Sequence, residues 1–200
     1  MKKLEYGRSM VEMLGVLAII GVLSVGAIAG YQKAMMKYKL NKQTQQLSQL
    51  LNVMHRYNDS WMGLQAGEIL TPYLDKLNEI PKEMIKDESG ILYDVFQNRT
   101  ALSTSFHFSK FGVVFEYEIK NNKAFEICQN FINIAKEHSS YLHDFYIGSS
   151  GKSIRFYGDK YCNRTTTADD RCANTITNDD IYEVCQRCEQ AEGCYSIIYS

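Results

Sequence analysis

The first part of the chain has the hydrophobic pattern of one long helix that changes character along its length. Residues 10–29 are almost all apolar and contain one charged side chain, that of Glu12. Residues 31–61 contain no proline, and their apolar side chains recur at helical spacing: Leu40, Leu47, Leu50, Leu51, Met54, Tyr57 and Trp61. The pattern predicts a helix over about residues 9–60, apolar on every side at first and amphipathic afterwards.

The apolar part of this helix is long enough to cross a membrane. Its 22 residues, 10–31, would extend about 33 Å as a helix, against a hydrocarbon core of about 30 Å. The alternative is a secretory signal peptide, since Lys2 and Lys3 precede the apolar run and Ala27-Ile28-Ala29 resembles a cleavage site. Signal peptides have uncharged apolar runs of about 7–15 residues, so the longer run with Glu12 favours a membrane helix.

The remaining residues predict an antiparallel sheet with one helix inserted between its hairpins. We expect a hairpin of residues 102–108 and 113–119 joined at 109–112, an amphipathic helix over 125–135, and a hairpin of residues 141–147 and 153–157 joined at 148–151. Glycines and prolines punctuate residues 61–101, where a connecting region with short helical pieces is expected. The predicted fold class is α+β, with the sheet packed against the C-terminal half of the long helix.

Composition and charge narrow the possible classes of protein. The 200 residues suit one domain of ordinary size with an appendage, which excludes a large multidomain enzyme. With 45% apolar residues and 2 prolines, the chain is neither disordered nor collagen-like. Its 22 basic and 23 acidic residues nearly balance, so the net charge gives no reason to expect nucleic acid as a partner.

All the cysteines follow the predicted membrane segment. They are Cys128, Cys162, Cys172, Cys185, Cys188 and Cys194. An even number in an exported domain indicates disulfides, whose pairing the count alone leaves open. A zinc site is the alternative, because Cys185 and Cys188 have the gap of a zinc knuckle and Cys172 or Cys194 would complete it. The second pair with this gap is missing, so disulfides are preferred. Residues 158–193 contain few apolar side chains, and we expect disulfides to hold them in place.

No catalytic or metal-binding arrangement is recognisable in the sequence. The chain has no GxSxG motif, no P-loop and no GxGxxG motif. The histidines are scattered and do not share a helix face: His55, His107, His138 and His143. The pairs Asp169-Asp170 and Asp179-Asp180 lack EF-hand spacing and are interpreted as solvated turn residues. We therefore predict no enzyme activity, no cofactor and no metal site.

The residues at the N-terminus carry a more specific signal. Gly7-Arg8-Ser9-Met10-Val11-Glu12 leads into the apolar helix without a break. This stretch resembles the class III signal of type IV pilins and of type II secretion pseudopilins, over about residues 1–60. In that family a prepilin peptidase cuts a short basic leader after Gly, and the fifth mature residue is Glu. Cleavage after Gly7 would make Arg8 the first mature residue and Glu12 the fifth.

Two features depart from the family pattern. The first mature residue of family members is most often an apolar residue that becomes N-methylated, whereas Arg8 is charged. Many members also carry a proline within the apolar helix, where this chain has Gly21, Gly26 and Gly30. These glycines would either loosen the helix locally or allow neighbouring helices to pack closely.

The resemblance implies a domain organisation and a set of disulfides. Residues 1–7 would be the leader, 8–31 the membrane-spanning and filament-core helix, 32–60 its amphipathic continuation, and 61–200 a globular pilin-like head. The helix inserted among the strands is similar to that of the type IVb branch. By this resemblance Cys128 pairs with Cys185, and with that pair go Cys162–Cys172 and Cys188–Cys194.

The resemblance also implies a function. The protein would be a prepilin held in the inner membrane with its C-terminal domain exported. After cleavage it would polymerise into a pilus at the cell surface or a filament in the periplasm, together with other subunits of the pilus or secretion machinery. Glu12 would attract the amino terminus of a neighbouring subunit during assembly. The alternatives are a pseudopilin or minor pilin, and a secreted disulfide-rich binding domain released by ordinary signal peptidase after Ala29.

Overall fold

Helix α1 (Arg8–Tyr57) accounts for the first part of the chain in the computed structural model. The structure describes residues 8–61, 63–107, 110–120, 122–149, 152–164, 170–191 and 193–200. They fall into two compact units, divided between Lys39 and Leu40, of which the second contains the sheet. The predicted long helix is thus confirmed, and a short 3-10 helix, Asn58–Trp61, follows it.

The described residues of the second unit add three helices and one sheet. The helices are α2 (Thr71–Lys76), α3 (Ala124–Glu137) and α4 (Asn178–Gln190). The strands are β1 (Ile85–Lys86), β2 (Leu92–Tyr93), β3 (Arg99–His107), β4 (Lys110–Ile119), β5 (Asp144–Ser149), β6 (Lys152–Tyr157), β7 (Asp170–Cys172) and β8 (Cys194–Tyr199). Their order is β1-β2-β3-β4-β8-β5-β6-β7, and each neighbouring pair is antiparallel except β6 with β7. The strand that comes last in the sequence therefore lies inside the sheet.

The C-terminal part of α1 supplies one side of the hydrophobic core. Leu47, Leu50, Leu51 and Met54 are at most 1% exposed, and their spacing places them on one helix face. The inward face of the sheet contributes the buried side chains of Phe115, Phe145, Phe156 and Ile198. The helix is thus packed on the sheet, as the sequence predicts.

Both predicted hairpins are present, with tighter turns than expected. The last pairs of the two ladders are His107 with Lys110 and Ser149 with Lys152, so each turn contains two residues. Most of the residues assigned to the connections, such as Gly112 and Gly148, belong to strands instead. Two-residue turns are favoured in hairpins because their backbone twist matches that of the strands. The turn residues themselves lie outside the part of the chain that the structure describes.

Burial acts together with the disulfides in the C-terminal segment. Among the described residues 158–164 and 170–191, the side chains of Ile176, Ile181, Val184 and Ala173 are all at most 5% exposed. Much of this segment is α4, which packs against α3.

Asp180, the third residue of α4, belongs to a capping box and is not a solvated turn residue. The backbone N–H of Asp180 donates to Thr177 Oγ1 at 3.2 Å, and the backbone N–H of Thr177 donates to Asp180 Oδ2 at 2.8 Å. This reciprocal pair satisfies two donors that would otherwise lack partners at the helix start. Asp180 also forms an ion pair with Arg171 of β7. Asp179 lies in the same first turn of α4 and is exposed. Asp169 lies outside the described residues.

Three disulfides tie the C-terminal elements together. Cys128–Cys185 joins α3 to α4, Cys188–Cys194 joins α4 to β8, and Cys162–Cys172 joins a 3-10 helix (Asp159–Arg164) to β7. These are the pairs that the family resemblance implies. No cysteine thiol is free, so the zinc alternative loses its ligands. A long apolar helix, a mostly antiparallel sheet and a disulfide-rich C-terminal region together give the protein a pilin-like architecture.

Candidate assembly helix and buried polar cluster

Residues 10–31 of α1 expose an apolar surface. Val11 and Val25 are each 71% exposed, and Val22 is 75% exposed. In the described part of the chain, α1 is the one helix whose length and composition suit a membrane span, and none of its most apolar window is buried. A continuous apolar surface of this extent needs a cover of lipid or protein.

Glu12 is the one charged residue between Arg8 and Lys33 in this apolar segment. Its side chain is exposed, and no hydrogen bond or ion pair joins it to a described residue. A carboxylate in a lipid or helix-bundle environment costs at least about 2.5 kcal/mol by membrane-insertion scales, so it requires a partner. Arg8 is the first residue of α1, but its side chain and all of Gly7 lie outside the described part. The cleavage site therefore stays a prediction.

The glycines of the apolar segment are not required by packing within the chain. A Cβ atom added at Gly15, Gly21, Gly26 or Gly30 would meet no atom within 4 Å. Each costs the helix up to about 1 kcal/mol relative to Ala. Gly26 and Gly30 are four residues apart and thus share a helix face, the spacing that lets two membrane helices approach closely. Contacts with another helix would explain glycine at these positions.

A group of lysines follows the apolar segment. Lys33 and Lys37 are exposed and have no partner among the described residues, whereas Lys42 forms a 2.9 Å ion pair with Glu83. Basic side chains next to a membrane span are attracted to anionic headgroups by about 1 kcal/mol each. These lysines suit the end of the segment that meets a membrane surface.

A cluster of buried polar side chains connects α1 to the sheet. Gln43 Nε2 donates to the Tyr117 hydroxyl at 2.6 Å, and that hydroxyl donates to Asp94 Oδ2 at 2.5 Å. Asn98 Nδ2 also donates to Tyr117 Oη, at 3.0 Å. Asn130 Nδ2, on α3, donates to Gln43 Oε1 at 2.8 Å. These five side chains, the buried polar cluster, link α1, the segment after β2, β4 and α3.

The environment fixes which group donates within this cluster. Burial raises the pKa of the Asp94 carboxyl, although hydrogen bonds from Tyr117 and from the backbone N–H groups of Asn98 and Phe96 oppose the shift. Burial also raises the pKa of the Tyr117 hydroxyl well above its usual value, and the nearby Asp94 carboxylate adds to the effect. Tyr117 therefore stays protonated and donates to Asp94.

Sequence reasoning did not find the buried polar cluster. Its signal lies in the amphipathic half of α1, where Gln43 is four residues before Leu47 and Gln46 is four before Leu50. Both glutamines therefore lie on the apolar stripe, and both are at most 2% exposed. A polar residue on a buried stripe needs a hydrogen-bond partner from another element.

The scattered histidines come together around aromatic rings. The ring of His55 stacks on that of Tyr141, with centroids 4.3 Å apart, and His138 Nδ1 is hydrogen-bonded to the Tyr141 hydroxyl. Burial lowers the pKa of His138. The side chain of His107 lies outside the described part.

His143 lies against an acidic residue rather than in a metal site. Its Nδ1 is 2.8 Å from Asp144 Oδ1, and Asp144 Oδ2 is 3.2 Å from Arg155 Nε. The described residues contain no group of three or more His, Cys, Asp or Glu side chains placed to hold a metal ion.

Comparison with known proteins adds no family to these observations. No protein-family model matches the chain, and no curated protein matches it in sequence. What the protein does is therefore inferred from its residues and its pilin-like architecture.

Proposed function

We propose that the protein is a structural subunit of a type IV pilus or of a related pilus-like filament. The observation that carries the proposal is the apolar half of α1, which is exposed along its length yet continues without a break into the core of the head. A membrane would cover this surface before assembly, and the same segment of neighbouring subunits would cover it in the filament. Hydrophobic burial of side chains such as Val22 and Val25 then drives assembly.

The charges near the start of α1 give the assembly its register. Removal of residues 1–7 creates a positive amino terminus at Arg8, about 6 Å along the helix axis from Glu12. In the apolar surroundings the Glu12 carboxylate gains most from a positive charge at nearly the same depth. The amino terminus of the adjacent subunit supplies that charge, so subunits dock with a fixed axial offset.

The glycines support the same proposal. Gly26 and Gly30 leave a shallow depression on one helix face that no described residue occupies. Another helix packed there would gain dispersion contacts along the backbone. The helix stability that each glycine loses within one chain is then offset by contacts between helices of different chains.

Minor pilins and pseudopilins would use the same helix, so they are variants of this proposal. A secreted domain released after Ala29 is a different class, because it would discard Glu12 and the glycines before Gly30. The two classes differ in the first residue of the mature protein, which is Arg8 in one and Gly30 in the other.

Mass spectrometry of the mature N-terminal peptide tests the proposal. We expect a start at Arg8, and full-length precursor in the membrane when Gly7 is replaced by Phe. A matched replacement of Ser9 by Ala should leave cleavage unchanged. A mature chain that starts at Gly30, or at any residue other than Arg8, would overturn the proposal. Recovery of the protein in filaments sheared from the cell surface, or in the periplasm, separates a pilin from a pseudopilin.

A further inference from the structure

Two of the disulfides lie side by side in the head. One, Cys188–Cys194, joins α4 to β8, and the other, Cys128–Cys185, joins α3 to α4. The Sγ atoms of Cys188 and Cys128, which belong to different disulfides, are 3.7 Å apart and in van der Waals contact. We call these four residues the sulfur cluster. Thiol–disulfide exchange proceeds by the attack of a thiolate on a disulfide sulfur, so this contact is the arrangement from which exchange can begin.

Helix α4 presents two bonding partners to the same cysteine of α3. Cys185 and Cys188 are three residues apart, so their side chains lie on one face of α4. Helix α3 packs against α4, and Cys128 on α3 is fully buried, as are both cysteines of α4. A bond from Cys128 to either one joins the same two helices. Exchange between the two pairings therefore requires movement of side chains within one turn of α4 and no change of fold.

Cys194 is the place where a thiol from outside can open the sulfur cluster. It is 6% exposed, whereas the other three members are 0% exposed. Cys194 also borders a cleft of about 230 Å³, which lies beside the end of β4 and the residues between α4 and β8. Access influences which sulfur of a disulfide is attacked. Attack at Cys194 releases Cys188, which is the sulfur in contact with Cys128.

We propose that the sulfur cluster is a thiol–disulfide exchange site whose substrate is a low-molecular-weight thiol. The substrate thiolate attacks Cys194 Sγ, forms a mixed disulfide and releases Cys188 as a thiolate. That thiolate attacks Cys128 Sγ and forms Cys128–Cys188, and Cys185 leaves as a thiolate that takes a proton from water. Each step forms one S–S bond and breaks one, so no other oxidant or reductant is consumed.

The exchange changes one connection within the head and keeps another. Helix α3 stays joined to α4, through Cys188 instead of Cys185. Helix α4 is no longer joined to β8, so the first residue of this inner strand is freed from the helix while the strand keeps its pairing with β4 and β5. The exchange takes place within the head, and it holds whether or not the protein polymerises.

Tryptic peptides distinguish the two pairings, because Arg187 separates Cys185 from Cys188 in the sequence. The peptide 124–136, which contains Cys128, is linked to peptide 172–187 before exchange and to peptide 188–200 after it. The full-length protein in neutral detergent micelles is incubated with reduced glutathione. Free thiols are then blocked with N-ethylmaleimide, and the unreduced digest is analysed by mass spectrometry.

We expect three products in this digest: glutathione on Cys194, a link between peptides 124–136 and 188–200, and maleimide on Cys185. Glutathione on Cys188 or Cys185 would overturn the proposal. So would maleimide on Cys188 with the original link of peptide 124–136 retained, or no reaction with glutathione at all.

Two variants start the exchange from opposite sides without glutathione. Cys194→Ala leaves Cys188 as a free thiol beside the Cys128–Cys185 bond, and Cys185→Ala leaves Cys128 free beside the Cys188–Cys194 bond. Both should form Cys128–Cys188, because the contact between the two sulfurs replaces a chance encounter.

Cys172→Ala is the matched control, since it frees Cys162, a thiol outside the sulfur cluster. The link between peptides 124–136 and 188–200 should be at least about tenfold more abundant in Cys194→Ala and Cys185→Ala than in this control. Absence of the link from both variants, or an equal amount in Cys172→Ala, would contradict the proposed exchange.

Discussion

The Asp94 carboxylate accepts a hydrogen bond of 2.5 Å from the Tyr117 hydroxyl, and each of these two residues is only 1% exposed. Because Tyr117 also accepts from Gln43 of α1, this pair fastens the long helix to the sheet. The C-terminal part of α1 is thus connected to the sheet by polar contacts as well as by apolar packing.

Tyr117→Phe should destabilise the head. The substitution removes the hydroxyl and leaves Asp94, Gln43 and Asn98 short of a partner in the core, at a cost of about 1–3 kcal/mol. Urea unfolding of the full-length protein in micelles measures the free energy of unfolding. Tyr195→Phe is the control, since Tyr195 is 41% exposed and should change the free energy of unfolding by less than about 0.5 kcal/mol. Equal effects of the two substitutions would contradict the role of Tyr117.

Asp94 should give the head a characteristic dependence on pH. Burial raises its pKa in the folded state above the usual 3.8, so the folded state holds the proton more tightly than the unfolded state. The contribution of Asp94 to stability is therefore largest below pH 3.8 and declines as the pH rises through its folded pKa.

The test compares the wild type with Asp94→Asn across this range of pH. The difference in the free energy of unfolding, wild type minus variant, should fall as the pH rises from about 3.8. Comparison with the variant cancels the other titrating groups, such as Asp87, whose pKa is lowered by its hydrogen bond with Ser89. A difference that grows with pH would contradict the assignment.

Glu12→Gln should leave membrane insertion and cleavage largely intact while filament yield falls sharply. The amide keeps the size of the side chain but cannot attract a positive amino terminus. Ser24→Ala is a matched control within the same segment, because the Ser24 hydroxyl donates to the Ile20 carbonyl of its own helix. Quantification of sheared filaments and of membrane-bound subunit measures both steps. Assembly of Glu12→Gln at the wild-type level would refute the docking role.

Gly26→Leu should reduce assembly without loss of the helix. Leu has a higher helix propensity than Gly, by up to about 1 kcal/mol, so the membrane helix itself should persist. The added side chain keeps neighbouring helices apart at the face shared with Gly30. Gly21→Leu is the control, since Gly21 lies about 140° around the helix from Gly26 at about 100° per residue. Circular dichroism and filament yield are the measurements, and equal yields for the two variants would contradict the proposed packing.

The three disulfides should differ in their contribution to stability. Cys128 and Cys185 are separated by 57 residues, whereas Cys162 and Cys172 are separated by 10. In the chain-entropy account the first pair contributes about 4 kcal/mol and the second about 3 kcal/mol. Replacing each pair with Ala and measuring urea unfolding tests this order. Free thiol in the unmodified folded protein, or the reverse order of stabilities, would contradict it.

Periodic segments of the sequence predict most of the fold. The stripe from Leu47 to Met54 and the alternation of Val113, Phe115 and Tyr117 directly reflect burial on one face. Helix α4 was not predicted, because two positions of its buried stripe are cysteines: Ile181, Val184, Cys185 and Cys188. Cysteine acts here as a small apolar residue as well as a cross-link. When the cysteines are counted only as cross-links, the apolar stripe of α4 is too sparse to be recognised.

Other parts of the fold depend on pairing over long distances in the sequence. The pairing of Ile198 with both Phe115 and Phe145 makes β8 an inner strand. The sequence around Ile198 does not indicate these partners. The buried polar cluster likewise joins Gln43, Asp94 and Tyr117 from segments far apart in the chain. In the candidate assembly segment the reverse holds, because Glu12 and the glycines lie within one helix that the local apolar run already predicts.

If the head is exported as proposed, the inner position of β8 also determines when it can complete its fold. Its neighbours β4 and β5 precede it in the chain and are joined through it. A polypeptide that crosses a membrane with its N-terminal helix held back delivers both hairpins before this strand emerges. For an exported head the two halves of the sheet would stay separate until residue 199 has been translocated, so the rate of export, rather than the rate of local folding, would determine when the head is complete.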